Sequence, residues 1–178
     1  MSKRIYLLRH GEASNAANTD KTRPLTDQGK SDTIALGKYL CSKKYEPELC
    51  MVSTATRTQQ TFENICANAK IDKVQHKDEI YSASRGQLFS MLQDIEDTVS
   101  SVLLIGHNPA IYELAAMLAA NGADNFMSRL SMGHPPASFC AFDAPCEKWA
   151  DLDPDACSII DHAVPFDYNG SERPTRWM

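Results

Sequence analysis

The stretch Ile5-Tyr6-Leu7-Leu8-Arg9-His10-Gly11 decides the fold, because an apolar run gives way abruptly to charged and polar residues. A short run without polar alternation is typical of a strand buried on both faces, as in a parallel sheet. Residues 49–52 and 102–105 repeat the pattern. The first of these ends at Ser53 and the second at Gly106-His107-Asn108-Pro109. The sequence therefore predicts three buried strands that each end in a polar loop.

Helical patterns separate these strands. Thr26 is a suitable N-cap for a helix that extends to about Lys43. Pro109 suits the first position of a later helix. Apolar residues spaced at i, i+3, i+4 and i+7 predict three further helical faces: Phe62, Ile65, Cys66 and Ala69; Leu88, Met91, Leu92 and Ile95; and Ile111, Leu114, Ala115 and Leu118. Strands that alternate with such helices indicate an α/β fold with a mostly parallel sheet. Residues 138–142 and 157–164 are predicted as late strands near a sheet edge.

The composition fits one globular domain. The chain has 178 residues, of which 43% are apolar and 23% charged. We expect a single domain over residues 1–165 and a loosely ordered tail over 166–178. The six cysteines have irregular spacings that match no zinc-binding pattern, so free, inert core thiols are expected.

Charge and hydropathy limit the binding partners and the cellular location that we expect for this protein. No apolar run approaches the roughly 20 residues of a membrane span. The N-terminus lacks the pattern of a secretory signal, so we expect a cytoplasmic protein with no membrane contact. The net charge of −5 disfavours nucleic-acid binding through bulk electrostatics.

The polar strand ends predict the functional site. Ligands of open parallel sheets bind where the strands end, so Arg9, His10, Arg57 and His107 are expected to share one pocket. Guanidinium groups match phosphate oxygens, and histidine can act as a nucleophile or base. The sequence shows neither an acidic cluster for a catalytic metal nor a Walker-type loop. This favours phosphoryl transfer through a covalent phosphohistidine, without metal or cofactor.

Four blocks resemble a known family. Leu8-Arg9-His10-Gly11-Glu12 is similar to the signature of the histidine phosphatase (phosphoglycerate mutase-like) superfamily. Three further blocks resemble that family in the same order: Arg23-Pro24-Leu25-Thr26 with Gly29, Ser53 with Arg57-Thr58-Gln59-Gln60-Thr61, and Ile105-Gly106-His107-Asn108-Pro109. The short chain is most similar to the SixA-type phosphohistidine phosphatase branch.

The resemblance implies a three-layer α/β/α sandwich and roles for particular residues. It implies that His10 is the phosphorylated nucleophile and that Arg9 and Arg57 bind the phosphoryl oxygens. His107 is implied as a second cationic or hydrogen-bonding partner. Asn15 and Asn108 are further predicted substrate-binding residues.

Two positions depart from the family pattern. The acidic residue of the mutases and many phosphatases falls on Ser82, and the nearest carboxylate, Glu79, is out of register. A family asparagine is replaced by Ala16, so Asn15 or Ser14 is left as the phosphate donor. A missing general acid favours substrates whose leaving group needs little protonation, such as phosphohistidine.

The sequence therefore predicts a metal-independent phosphatase that acts on protein phosphohistidine or on a small phosphorylated compound. One alternative is a small-molecule phosphomonoesterase or mutase. Another is a non-catalytic module that recognises phosphate. The oligomeric state, the general acid and the role of residues 121–178 stay open at this point.

Overall fold

A seven-stranded sheet forms the centre of the protein in the computed structural model, which describes residues 2–171. The strands lie in the order β3-β2-β4-β1-β6-β7-β5. Their bounds are β1 (Lys3–Arg9), β2 (Leu49–Ser53), β3 (Lys73–Lys77), β4 (Ser101–Gly106), β5 (Asn121–Gly122), β6 (Phe139–Ala144) and β7 (Ser158–Ala163).

Most neighbouring strands are parallel, as predicted. β4 pairs in parallel with β1 on one side and with β2 on the other, and β2 pairs in parallel with β3. β6 is antiparallel to both β1 and β7. The late strands therefore exist, but β6 lies beside the central strand β1 rather than near an edge.

Within residues 2–171, five α-helices cover the sheet. They are α1 (Asp27–Lys43), α2 (Thr56–Cys66), α3 (Arg85–Gln93), α4 (Ala110–Leu118) and α5 (Asp124–Ser131). Alternate side chains of β1 enter two separate cores, because successive residues of a strand point to opposite faces. Ile5 and Leu7 pack with α3 and α4, whereas Tyr6 and Leu8 pack with α1 and α2. This arrangement confirms the three-layer α/β/α sandwich.

The observed helix boundaries correct two of the sequence predictions. α1 begins as predicted, with the Thr26 hydroxyl accepting a hydrogen bond from the Gly29 N–H. Pro109 is the N-cap of α4 rather than its first helical residue. Cys66 was predicted on the apolar face of α2, but it ends that helix and is exposed, as is Cys41. The expectation of inert core thiols is therefore wrong for these two cysteines, although all six are free.

The sequence did not predict β3, β5 or α5. β3 is a polar edge strand whose residues are mostly exposed, so it lacks the apolar pattern on which strand prediction depends. α5 buries one residue, Leu130. Within residues 2–171, no helix has the length and apolar character required to span a membrane.

The chain after β7 packs against the domain. Residues Pro165–Tyr168 form a 3-10 turn, and buried Tyr168 donates a hydrogen bond to the Ala137 carbonyl at 2.7 Å. The Ser171 N–H reaches the Asp32 carboxylate at 2.8 Å. Residues 166–171 are thus held in place, in contrast to the expectation of a loosely ordered tail. The rest of that tail, residues 172–178, lies outside the described residues, and the domain boundary stays a prediction.

Candidate active site

The strand register brings the predicted site residues together. Because β1, β4 and β2 are parallel neighbours, with Arg9 opposite Gly106 and Val52 opposite Ile105, their carboxyl ends meet at one edge. The rings of His10 and His107 lie 5.1 Å apart between centroids. Arg57, on the first turn of α2, hydrogen-bonds to both histidines.

A main-chain carbonyl fixes the tautomer of His10. The Nδ1–H donates to the Gly11 carbonyl at 2.7 Å. The other nitrogen, Nε2, accepts from the Nε–H of Arg57 at 3.2 Å and therefore carries the lone pair. Burial, and next the neighbouring His107, hold the pKa of His10 well below its ordinary value. His10 is thus a neutral imidazole whose unprotonated nitrogen, Nε2, faces the arginine.

Arg57 connects the two histidines of the site to Asp20, and it is 6% exposed. Besides His10, its guanidinium reaches the Asp20 carbonyl at 2.7 Å, the Asp20 carboxylate at 3.0 Å and Nδ1 of His107 at 3.2 Å. Such a planar fork with several donors is suited to the oxygens of a phosphoryl group.

His107 is held in the opposite tautomer. Its Nδ1 accepts from Arg57, so Nε2–H donates to the Ser53 hydroxyl at 2.9 Å. Burial, and next the charge of Arg57, lower the pKa of His107 to about 4. In the free protein, His107 is therefore neutral at physiological pH.

Arg9 supplies a second buried cation at the same edge. Its Nη1 donates to the His134 carbonyl at 2.8 Å, and its buried Nε has no hydrogen-bond partner among residues 2–171. Burial lowers the pKa of Arg9 to about 10, so the side chain stays protonated at neutral pH. A buried guanidinium N–H without a partner is a donor available to an anion.

Residues of the sequence blocks described above hold the loop that follows β1. The Gly11 N–H donates to the Thr61 hydroxyl at 3.0 Å, and the Leu25 N–H donates to the Gln60 side chain at 2.8 Å. A Cβ on Gly11 would lie 2.8 Å from the side chain of Thr33, so a glycine permits this close approach to α1. Thr61 and Gln60 thus fix the positions of Gly11 and Leu25 through these hydrogen bonds.

The site opens into a cleft of about 560 Å³. Three arginines reach its wall, so the cleft is cationic although the chain has a net charge of −5. Asn15 and Asn108 both line it. The Asn15 Oδ1 accepts from Arg23, which leaves its amide N–H groups as donors, whereas the Asn108 Nδ2 donates to the His134 carbonyl.

Neither position considered for the general acid lies in the cleft wall. Glu79 and Ser82 are exposed, and they lie two residues before and one residue after Tyr81. The carboxylate that lines the cleft belongs to Glu12, and it accepts a hydrogen bond from Thr26 at the N-terminus of α1.

Asp20 and Tyr81 are site residues that sequence analysis missed. The Asp20 carboxylate binds Arg57 at 3.0 Å, Arg23 at 3.0 Å and the Tyr81 hydroxyl at 2.7 Å. The hydrogen bond from Tyr81, followed by that from Arg23, holds the pKa of Asp20 well below its ordinary value. The Tyr81 ring also meets His107 edge-on at 5.5 Å. The sequence feature that could have indicated Asp20 was its position three residues before the block that begins at Arg23.

Comparisons with known proteins identify a family to which the sequence is similar. The sequence model of the histidine phosphatase superfamily (branch 1) matches residues 5–100. The phosphohistidine phosphatase SixA of Escherichia coli (strain K12) is 31% identical over 117 residues, which cover 64% of this chain and 73% of that protein.

Solved structures give the same picture. A candidate phosphohistidine phosphatase SixA from Nakamurella multipartitia aligns with a TM-score of 0.80 at 25% identity, covering 93% of this chain and 97% of that chain. Another, from Agrobacterium tumefaciens, aligns with a TM-score of 0.77 at 27% identity, covering 92% and 99%.

Proposed function

The chain belongs to the histidine phosphatase superfamily, and from that premise we propose that it is a phosphatase in which His10 carries the phosphoryl group. The observation that carries the proposal is the state of His10: Nδ1–H is tied to a main-chain carbonyl, and the Nε2 lone pair faces Arg57. The preferred substrate is phosphohistidine on a protein.

The chemistry requires two displacements at phosphorus. In the first, His10 Nε2 forms a bond to phosphorus while the bond to the leaving nitrogen or oxygen breaks, and the electron pair leaves with that atom. In the second, the oxygen of water attacks phosphorus and the N–P bond breaks, which releases phosphate and returns the lone pair to Nε2. The proton of the attacking water leaves to solvent or phosphate.

The cations stabilise the charge that spreads over the phosphoryl oxygens in each transition state. Arg57 and Arg9 supply fixed positive charge, so the site needs no metal ion for this purpose. Asn15 adds amide donors from the rim of the cleft. A dianion in the site raises the pKa of His107, because an opposite charge favours the protonated imidazole. His107 then donates Nδ1–H to the substrate in place of accepting from Arg57.

The leaving group decides the substrate class. Neither Glu79 nor Ser82 lines the cleft, and the Glu12 carboxylate already accepts a hydrogen bond from the Thr26 hydroxyl. An alkoxide requires a proton donor, whereas the imidazole of phosphohistidine departs with less assistance. The E. coli relative is named a phosphohistidine phosphatase, which supports the same class.

Trapping the phosphoenzyme tests the proposal. The protein is mixed with a phosphotransfer domain that carries labelled phosphohistidine, quenched within the first turnover, and analysed for acid-labile label. We expect label on His10, none in His10→Ala, and unchanged labelling in His76→Ala, which alters an exposed histidine of β3. Full turnover by His10→Ala would disprove the covalent route.

A substrate panel separates the alternatives. Faster turnover of sugar or glycerate phosphates than of phosphohistidine would indicate a small-molecule phosphomonoesterase or mutase. Tight binding of the phosphorylated domain without release of phosphate would indicate a recognition module instead.

A further inference from the structure

Three buried side chains converge behind the Arg9 wall of the cleft. His134 lies in the loop between α5 and β6, Cys140 lies on β6, and His162 lies on β7. Cys140 and His162 are direct partners in the antiparallel register. The potential ligand atoms of the three residues all lie within 4.8 Å of one another, and the residues are 1%, 0% and 2% exposed, respectively. We call this group the His-Cys-His cluster.

The polar atoms of the cluster lack partners. Nε2 of His134 and both ring nitrogens of His162 are buried without a hydrogen bond to any described residue. The contact between the Cys140 sulfur and Nδ1 of His134, at 4.0 Å, is weak. Leaving a buried polar group unpaired costs about 1–3 kcal/mol. The fold therefore maintains an arrangement that is unfavourable unless something binds these atoms.

The donor atoms of the cluster, one sulfur and two imidazole nitrogens, indicate what kind of ligand it binds. A bridging water would engage the nitrogens but gains little from the thiol, whereas a soft metal ion binds thiolate and imidazole together. Bonds of about 2.0 Å to nitrogen and about 2.3 Å to sulfur place ligand atoms roughly 3.5–3.7 Å apart around a trigonal ion. Since the ligand atoms already lie within 4.8 Å, small side-chain rotations complete such a site.

The net charge of the occupied cluster decides between a monovalent and a divalent ion. Loss of the Cys140 proton gives one negative charge, and no carboxylate is a member of the cluster. The charged groups that act on its histidines from outside are Arg9 and Arg129, and Asp161 and Asp167, so these charges offset one another. A monovalent ion leaves the site neutral, whereas a divalent ion leaves a net positive charge in the core, close to the Arg9 guanidinium that hydrogen-bonds to the His134 carbonyl. We propose that the His-Cys-His cluster is a buried, three-coordinate site for Cu(I).

The binding step involves no change of oxidation state. Cu(I) forms bonds to the Cys140 sulfur and to one nitrogen of each imidazole, and the thiol proton leaves to solvent. The site adjoins the cleft through His134, whose carbonyl accepts from Arg9 at 2.8 Å and from Asn108 at 3.1 Å. Metal on His134 thus holds the loop that positions Arg9.

Anaerobic competition with bicinchoninate, a Cu(I) chelator, tests the site in the full chain. The three less buried thiols are first replaced by serine so that they bind no copper: Cys41, Cys66 and Cys146. This background protein is expected to retain one equivalent of Cu(I), with X-ray absorption showing one sulfur and two nitrogen ligands. Cys140→Ala and His162→Gln are expected to weaken binding by at least 10- to 100-fold.

Cys50→Ala is the matched control, because Cys50 is equally buried but packs in the other core. It should retain the copper. Absence of Cu(I) binding by the background protein, retention by folded His162→Gln, or preference for Zn(II) under the same conditions would overturn the proposal. The readout is metal stoichiometry, so it stands or fails independently of phosphatase activity. His162→Gln keeps the test decisive where Cys140→Ala fails to fold.

Discussion

Replacing Arg57 with lysine separates the chemistry of the site from the stability of the fold. The guanidinium contacts His10, His107 and Asp20 with three different nitrogens. A lysine retains the positive charge but has one nitrogen, so it can occupy one of these places. The variant therefore loses the geometry of the fork while keeping the charge.

The magnitude follows from what each contact does. Loss of one preorganised donor to developing charge slows a reaction by about 10²–10³-fold. We expect Arg57→Lys to lower the rate of the chemical step by this factor. The ion pair with Asp20 contributes little to stability, because the carboxylate side chain is 53% exposed and such pairs are worth roughly 0–1 kcal/mol. The free energy of unfolding should therefore change far less than the activation barrier.

Single-turnover kinetics with a histidine-phosphorylated domain measure the chemical step, and urea denaturation measures stability. Arg85→Lys is the control, because Arg85 is an exposed residue at the start of α3. A folded Arg57→Lys protein whose single-turnover rate stays within about fivefold of the parent would refute the argument that a preorganised fork stabilises the transition state.

Two further predictions concern packing and protonation. A Cβ on Gly29 would lie 2.2 Å from the Glu12 carbonyl, so Gly29→Ala should lower the free energy of unfolding by more than about 2 kcal/mol in urea titrations. Gly86→Ala, in open space on α3, should instead be neutral or add up to about 1 kcal/mol, and equal losses in both would contradict this reading. His107, with its pKa lowered to about 4, stays neutral in the fold while the unfolded chain binds its proton below the usual pKa of about 6.5. Stability should therefore fall as the pH drops from about 6.5 towards 4, by about 1.4 kcal/mol per pH unit for this histidine, and His107→Gln should show a shallower fall by that amount.

The strand ends could be predicted because their signal is local. Each apolar run stops at a charged or polar residue, and parallel pairing then places Arg9, His10 and His107 at one edge regardless of the intervening chain. Arg57 followed by the same reasoning, since it lies on the first turn of the helix after β2. The helix start at Thr26 was also local, because an N-cap acts within one turn.

The missed features depend on contacts between distant segments. Asp20 reaches Arg57 across 37 positions of sequence from a short 3-10 turn that has no apolar period. The His-Cys-His cluster follows no metal-binding spacing, because antiparallel pairing and a loop, rather than one helix or turn, bring its members together. Spacing along the sequence predicts proximity only for residues that lie on the same helix, strand or turn.

The hydrogen bond from His10 to the Gly11 carbonyl determines which kinds of mutation can misalign the His10 ring. Many catalytic histidines are aligned by a carboxylate, which one codon change can delete. Here the acceptor is part of the peptide backbone, which every amino acid supplies, and it does not ionise. Misalignment of the His10 ring must therefore arise from displacement of the loop, through residues such as Thr61 that do not line the cleft. Loss-of-function changes of this kind would be found beneath the loop rather than in the cleft.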